Sequence, residues 1–329
     1  MGSNAVQGWR PLWLGFAAIA VALFAWPVQA QIGAPPIRII FPFAPGGSGD
    51  AVSRLIAARM SDALGRPVIV ENRTGADGRI GIRAVKESEP DGNTLLLTPI
   101  APMSVYQHVY AKLDYDPIKD FAPISEIGTF DFGIASGPRT NMTSLKDLIA
   151  WAKANPTEAN FAIPGAGTLP HFLGVMLART AGIDLHAVPY RGSAAGLADL
   201  IAGHIPIEIT TTSDLVQMHK DGRIRILATS GKQRSPFLPD VPTLRESGYD
   251  LAATGWYGIF APAKTAADIV ERENKVVVDA VRSPEFKDRA QIFGLQPTGT
   301  SAEAFAHIVQ DDSALWGPAV KASGFKSEE

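Results

Sequence analysis

Short apolar runs alternate with stretches of helical periodicity along most of the chain. Ile37-Arg38-Ile39-Ile40-Phe41 is a mostly β-branched run of strand length. Val52, Leu55, Ile56, Met60, Ala63 and Leu64 then recur at helical spacing, with Arg54, Arg59 and Asp62 between them. The same rhythm predicts a strand over 67–71, a helix over 79–87 and a buried strand over 94–98. A turn-rich segment at 115–121 leads into an extended run over 122–136. Beyond it the pattern predicts a helix at 145–154, a strand at 161–163, a helix with one apolar face from Leu169 to Thr180, and a strand at 186–190. A helix at 194–202 and strands at 205–209 and 225–229 follow. Residues 255–260 look extended, and the remainder is helical at 266–281, 284–292 and 302–321. Short apolar strands alternating with amphipathic helices indicate an α/β fold with mostly parallel sheets.

The first thirty residues depart from this rhythm. Arg10 is their only charge, residues 12–26 are apolar, and Val28-Gln29-Ala30 has the small-x-small form of a cleavage site. A permanent anchor is the rival reading, but the core is short for a span and Pro27 sits at its end. Cleavage after residue 30 is therefore expected, which places the mature chain outside the cytoplasm. About 300 residues then remain, too many for a typical single core and suited to two lobes. The rhythm restarts after the extended run, so we expect an outgoing crossing near 128–137 and a return near 251–261. The lobes are then 31–132 with 253–329, and 133–252.

Composition removes several chemistries. There is no cysteine, which excludes disulfides, thiolate metal sites and cysteine nucleophiles. The net charge is −3, with no long run of either sign, so nothing suggests nucleic acid. The six histidines lack metal-ligand spacing, and no metal or cofactor is expected. Gly46-Gly47-Ser48-Gly49-Asp50 nearly matches a nucleophile elbow, but Asp50 stands where the last Gly is required. No phosphate loop or dinucleotide fingerprint is present. No catalytic residues are assigned, and Asp214 and Asp240 read as cap and turn residues.

A Gly/Ser turn opening a helix occurs three times, at 45–50, 165–168 and 191–193. The first turn of a helix carries unpaired N–H donors and the positive end of the dipole, which suits an anion. In open α/β sheets ligands bind at the carboxyl ends of strands, where these turns lie. Each charge-assisted hydrogen bond contributes roughly 1.5–3 kcal/mol, so two or three orient a carboxylate. The plainer reading, three unrelated turns, loses ground with each recurrence. His171 could touch ligand, cap or pack. Phe130, Phe132, Trp256 and Tyr257, in the expected crossings, could wall a ligand, although aromatics there more often form lobe core.

Residues 36–50, from Pro36-Ile37-Arg38 through Ala44-Pro45-Gly46-Gly47-Ser48-Gly49-Asp50, resemble the opening of the Bug (TctC-type) receptors of tripartite tricarboxylate transport systems. The resemblance continues through Val70-Glu71-Asn72-Arg73-Thr74-Gly75-Ala76-Asp77-Gly78, Gly165-Ala166-Gly167-Thr168 with His171, Val188-Pro189-Tyr190-Arg191-Gly192-Ser193 and Trp256-Tyr257-Gly258-Ile259-Phe260. It covers nearly the whole mature chain in order. It implies a type II periplasmic-binding-protein fold, with two α/β lobes around a ligand cleft joined by two crossing segments. It also implies a periplasmic, monomeric receptor that hands a di- or tricarboxylate, or an aromatic carboxylate, to inner-membrane transporter subunits. Main-chain and hydroxyl donors hold the carboxylate in that family. Carried over, the expected ligand contacts are Gly46, Gly47, Ser48, Gly167, Thr168, His171, Arg191, Gly192 and Ser193. Phe43, Asp50 and Thr210 are added as neighbouring candidates.

Two departures stand out. Thr210-Thr211-Thr212 occupies a position where many members have an acidic residue, which leaves a ligand ammonium without a partner and argues against acidic amino acids. Residues 98–103 lack the usual Gly- or Asn-bearing loop, so the far end of the ligand is undefined. A receptor that engages a sensor kinase, or an enzyme acting on a carboxylated substrate, are the competing readings. The enzyme is disfavoured because no nucleophile–base pair can be assembled.

Overall fold

In a computed structural model, residues 1–3 and 35–325 are described. Apart from its first three residues, the expected leader lies outside them, as does its cleavage site. β1 (Ile37–Phe41) leads into α1 (Ser48–Leu64), β2 (Val68–Asn72), α2 (Arg79–Lys86), β3 (Thr94–Pro99) and the short α3 (Tyr106–Val109). The 16-residue β4 (Phe121–Ser136) precedes α4 (Leu145–Ala154), β5 (Asn160–Ile163), α5 (Leu169–Ala181), β6 (His186–Pro189) and α6 (Ser193–Ala202). Then come β7 (Ile207–Thr211), α7 (Thr212–Lys220) and β8 (Arg225–Thr229). β9 (Thr254–Pro262) returns, and α8 (Ala267–Arg282), α9 (Pro284–Phe293), β10 (Gln296–Pro297) and α10 (Ala302–Ser323) complete the order.

In the first lobe β1 lies between β2 and β3, all parallel. Ile37, Ile39 and Ile40 are buried on both faces of that sheet, which is why the run reads as continuous rather than alternating. α1 covers it with Val52, Ile56 and Met60, four residues apart, and stops at Gly65 in the left-handed conformation (φ 62°). β9 joins antiparallel beside β3, and residues 121–131 of β4 pair antiparallel with β9.

Residues 132–136 of the same strand pair instead with β7 and β8. β5 lies parallel to both β6 and β7, making the second lobe's sheet. β4 therefore passes from one sheet to the other between Asp131 and Phe132. Ser230 ties this passage to the return segment. Its N–H donates to the Phe132 carbonyl and its hydroxyl to the Ala253 carbonyl, while its Oγ accepts the Phe132 N–H. One side chain is thus bonded to both crossing segments.

Most elements fall within a residue or two of the pattern. α7 does not: no helix is expected there, because Leu215 and Val216 are its only large buried apolar side chains, two β-branched threonines precede it and a third opens it. It begins directly at the end of β7, in the position that brings its first turn to the interlobe cleft.

Candidate functional site

Three helices, α1, α5 and α6, start around one cavity of about 60 Å³ between the lobes, and α7 opens onto it as well. Gly47 and Gly49 come from the start of α1, Thr168, Leu169 and Pro170 from that of α5, and Gly192 and Ser193 from that of α6. Thr210, Thr211 and Asp214 enter from the β7–α7 junction, and Phe130, Phe132 and Tyr257 from the crossing strands. Phe41, Phe43, Ala44, Pro164 and residues 99–101 complete an apolar wall. The N-cap residues of the three helices, Gly47, Thr168 and Gly192, make no side-chain cap. Their first-turn N–H groups are thus left to partners from outside the helix.

Close backbone approach explains two of the glycines. Gly47 has φ −86°, which any residue adopts, but a Cβ on it would lie 2.8 Å from Ser193 Oγ and 3.5 Å from Asp214 Oδ1. Crowding, not torsion, disfavours a side chain there. Gly192 has φ 116°, a conformation L side chains avoid, and it places the Arg191 carbonyl where the Ala44 N–H of the other lobe donates to it at 3.2 Å.

The polar groups form one connected system. The Ser48 N–H, at the start of α1, donates to Asp214 Oδ1 at 2.5 Å across the cleft. The Thr210 and Thr211 hydroxyls donate to Asp214 Oδ2 at 3.2 and 2.9 Å. Ser48 Oγ lies 2.8 Å from the Tyr257 hydroxyl and 3.3 Å from Thr211 Oγ1. Burial, reinforced by the Asp214 charge, keeps the Tyr257 hydroxyl well above its ordinary pKa and so neutral. On the other side of the cleft, the Ala166 N–H before α5 donates to Asp77 Oδ1 at 3.1 Å. Among the described residues no cluster of His, Asp and Glu is arranged to hold a metal.

Residues 52–325 match the profile of the tripartite tricarboxylate transporter family receptor, TctC. The chain belongs to this receptor family. It is 33% identical over 311 residues to protein BugT of Bordetella pertussis (strain Tohama I), covering 94% of this chain and 95% of that one. The periplasmic binding protein BugD is similar in structure, with TM-score 0.85 and 29% identity over 89% of this chain and 99% of its own. Rpa4515 of R. palustris, solved with adipate, gives TM-score 0.85 and 28% identity, covering 92% and 99%. The fold of the receptor is therefore the two-lobed periplasmic-binding-protein fold that its sequence resembles.

The expected ligand contacts divide into two groups. Phe43, Gly47, Thr168, Gly192, Ser193 and Thr210 line the cavity. Ser48 reaches it through its N–H bond to Asp214. Gly46, Asp50, Gly167, His171 and Arg191 do not line it. Asp50 turns behind the loop and accepts from the Gly46 N–H, Arg54 and Asn72. Burial opposes its charge, yet these bonds outweigh it and hold the carboxyl below its ordinary pKa. Asp50 thus shapes the first loop from behind. Arg191 is exposed and borders a neighbouring cleft with Asp77 and Tyr190, separated from the cavity by the shared walls Phe43 and Pro164. Thr168 lines the cavity, but its hydroxyl donates to the Gly165 carbonyl at 2.7 Å, so that proton is committed within the loop. Asp214, read from sequence as a cap, and the aromatics Phe130, Phe132 and Tyr257 are the additions the sequence left undecided. Trp256, next to Tyr257, points the other way, packing on Phe305 with centroids 5.0 Å apart and donating to Asp312.

His171 supports the site from beneath. Its Nδ1 accepts the Gly167 N–H at 3.1 Å, and its ring meets Phe325 edge-on at 4.4 Å. Burial lowers its pKa to about 4, so it is neutral with its proton on Nε2. A depressed folded-state pKa means stability present above the unfolded value near 6.5 and lost as pH falls toward 4. Relative to His171→Gln, the wild type is expected to lose about 1–2 kcal/mol between pH 7 and pH 5. Urea unfolding of both proteins at the two pH values checks this; a constant difference would contradict it.

Proposed function

We propose that the receptor captures a small organic carboxylate in this interlobe cavity, without chemical change, and delivers it from the periplasm to inner-membrane transporter subunits. The observation that supports this reading is the convergence on a single cavity of three helix starts, drawn from both lobes, whose N-cap residues give no side-chain cap, with the first N–H of α1 met by Asp214 from across the cleft. N–H groups and the positive dipole ends favour an anion there without a fixed cation in the lining. The adipate bound by Rpa4515 and the family's tricarboxylate transport role support the same chemistry. A binding role without catalysis fits an apolar lining whose one carboxylate, Asp214, is already bonded to three protein donors.

The cavity is smaller than the roughly 150 Å³ that admits benzene in an engineered protein core. A ligand of several carbons therefore requires the lobes to part near Ser230 and to close on it less fully than in this arrangement. Such closure is the hinge motion of binding proteins, in which the ligand stabilises the closed form by its contacts to both lobes. Native mass spectrometry of protein purified without denaturation tests the proposal. A retained carboxylic acid, released unchanged on denaturation, is the expected result. A retained sugar or other molecule without a carboxyl group, or a chemically converted product, would overturn it.

A further inference from the structure

Asp214 alters what the cavity can accept. No Lys, Arg or His lines the cavity, so the Asp214 carboxylate is its one full charge beside neutral walls. The hydroxyl protons around it are already directed inward. Those of Thr210 and Thr211 go to Asp214, that of Thr168 goes to Gly165, and Tyr257 and Ser48 bond each other. What these groups still offer a ligand is mostly lone pairs. A carboxylate has about four acceptor sites. Three at Asp214 are taken by Ser48, Thr210 and Thr211, which leaves one for an outside donor. A plain carboxylate brought against this group in an apolar cavity meets like charge, whereas an ammonium meets opposite charge.

Resting on the carboxylate reading above, we propose that Asp214 is a specificity residue that selects zwitterionic amino acids with apolar side chains over plain carboxylic acids. Ser193 Oγ and Asp214 Oδ1 flank the same face of Gly47, 2.8 and 3.5 Å from where its Cβ would stand, so the two polar atoms are close neighbours at the cavity wall. An α-amino acid carries its two charged groups as close neighbours, so its ammonium reaches Asp214 while its carboxylate takes Ser193 and the N–H groups opening α6. Phe41, Phe43, Ile100, Phe130 and Leu169 then surround an apolar side chain. The sequence argument against an ammonium partner rested on Thr210; the carboxylate is supplied instead one helical turn later. A rival arrangement has Asp214 standing in for the ligand's own carboxylate at the start of α1, to be displaced when a plain acid binds.

Calorimetry on ligand-stripped, refolded protein separates these. The probes are the apolar amino acids, including L-leucine and L-phenylalanine, their skeletons without the amino group (4-methylpentanoate and 3-phenylpropanoate), and the plain dicarboxylates succinate and adipate. The wild type should bind at least one amino acid tenfold or more tighter than its des-amino partner. Asp214→Asn, matched in shape and checked for an unchanged cooperative melt, should erase that ratio. Des-amino acids or dicarboxylates binding the wild type as well as or better than every amino acid would overturn the selectivity and leave the carboxylate receptor standing. So would a ratio that survives Asp214→Asn. Binding by none of the three series would overturn both.

Discussion

Gly47→Val should weaken ligand binding by about 2–3 kcal/mol, roughly thirty- to 150-fold, while the empty protein still folds. The torsion at Gly47 suits any residue, so the change acts through space alone. A Cβ there would lie 2.8 Å from Ser193 Oγ, and the added methyls of valine would fill the meeting point of three loops. The lobes could then close only if the Ser193 hydroxyl turns aside or α6 moves away from α1, and either change takes a donor from the ligand. Opening carries no such penalty, so the substitution biases the protein toward the separated arrangement. Calorimetry against the retained ligand, with a thermal melt as control for folding, is the measurement. Unchanged affinity would mean that the start of α1 does not face the ligand.

Glu208→Met should stabilise the protein by about 2–4 kcal/mol at neutral pH. Glu208 is fully buried on β7, and neither carboxylate oxygen finds a hydrogen-bond partner in the protein. A Cβ at Gly196 would lie 3.0 Å from both Ala162 Cβ and Glu208 Oε1, so the acid is pressed between α6 and the sheet. Burial, with Asp214 adding to it, raises its pKa well above the usual range. The sign follows from that direction. Burial favours the protonated form of Glu208 in the folded protein while the unfolded chain ionises in the ordinary range, so folding near neutral pH is coupled to proton uptake at a cost. Below the unfolded pKa, near 4.3, both states are protonated and this cost vanishes. The gain from methionine should therefore be largest at neutral pH and shrink toward pH 4, where only the unsatisfied oxygens still count against the wild type. Denaturant unfolding at pH 7 and pH 4.5 checks both the size and the trend; a destabilised variant at pH 7 would mean that the carboxylate is solvated or paired.

The sequence pattern made the sheets and most helices legible because buried strands such as 37–41 are apolar throughout and α1 repeats its apolar positions at helical spacing. The loops of the site were legible for a similar reason. Glycine followed by a small hydroxyl residue before a helix is a local signature, and its recurrence at Gly47-Ser48, Gly167-Thr168 and Gly192-Ser193 survives without any knowledge of the fold. What could not be read is what depends on which way a side chain turns. Asp50 and Asp214 both sit in the first turn of a helix, and one faces away from the cleft while the other crosses it. Trp256 and Tyr257 are neighbours on one strand, yet strand alternation sends one to the α10 side and the other to the cavity. α7 was hidden because its apolar face is short and its buried first turn is made of threonine and serine. That helix carries Asp214, so missing the helix meant missing the charge. His171 lay in the right loop, but only packing against Phe325 and Gly167 shows it holding the loop rather than facing the cavity.

The position of the ligand in a crystal of protein purified with its retained molecule tests the central claim most directly. The account predicts a carboxylate over Gly47, with oxygens about 3 Å from Ser193 Oγ and from N–H groups in the first turns of α5 or α6. Density for the ligand in the cleft beside Arg191 and Asp77, or a carboxylate directed to solvent away from these helix starts, would contradict it.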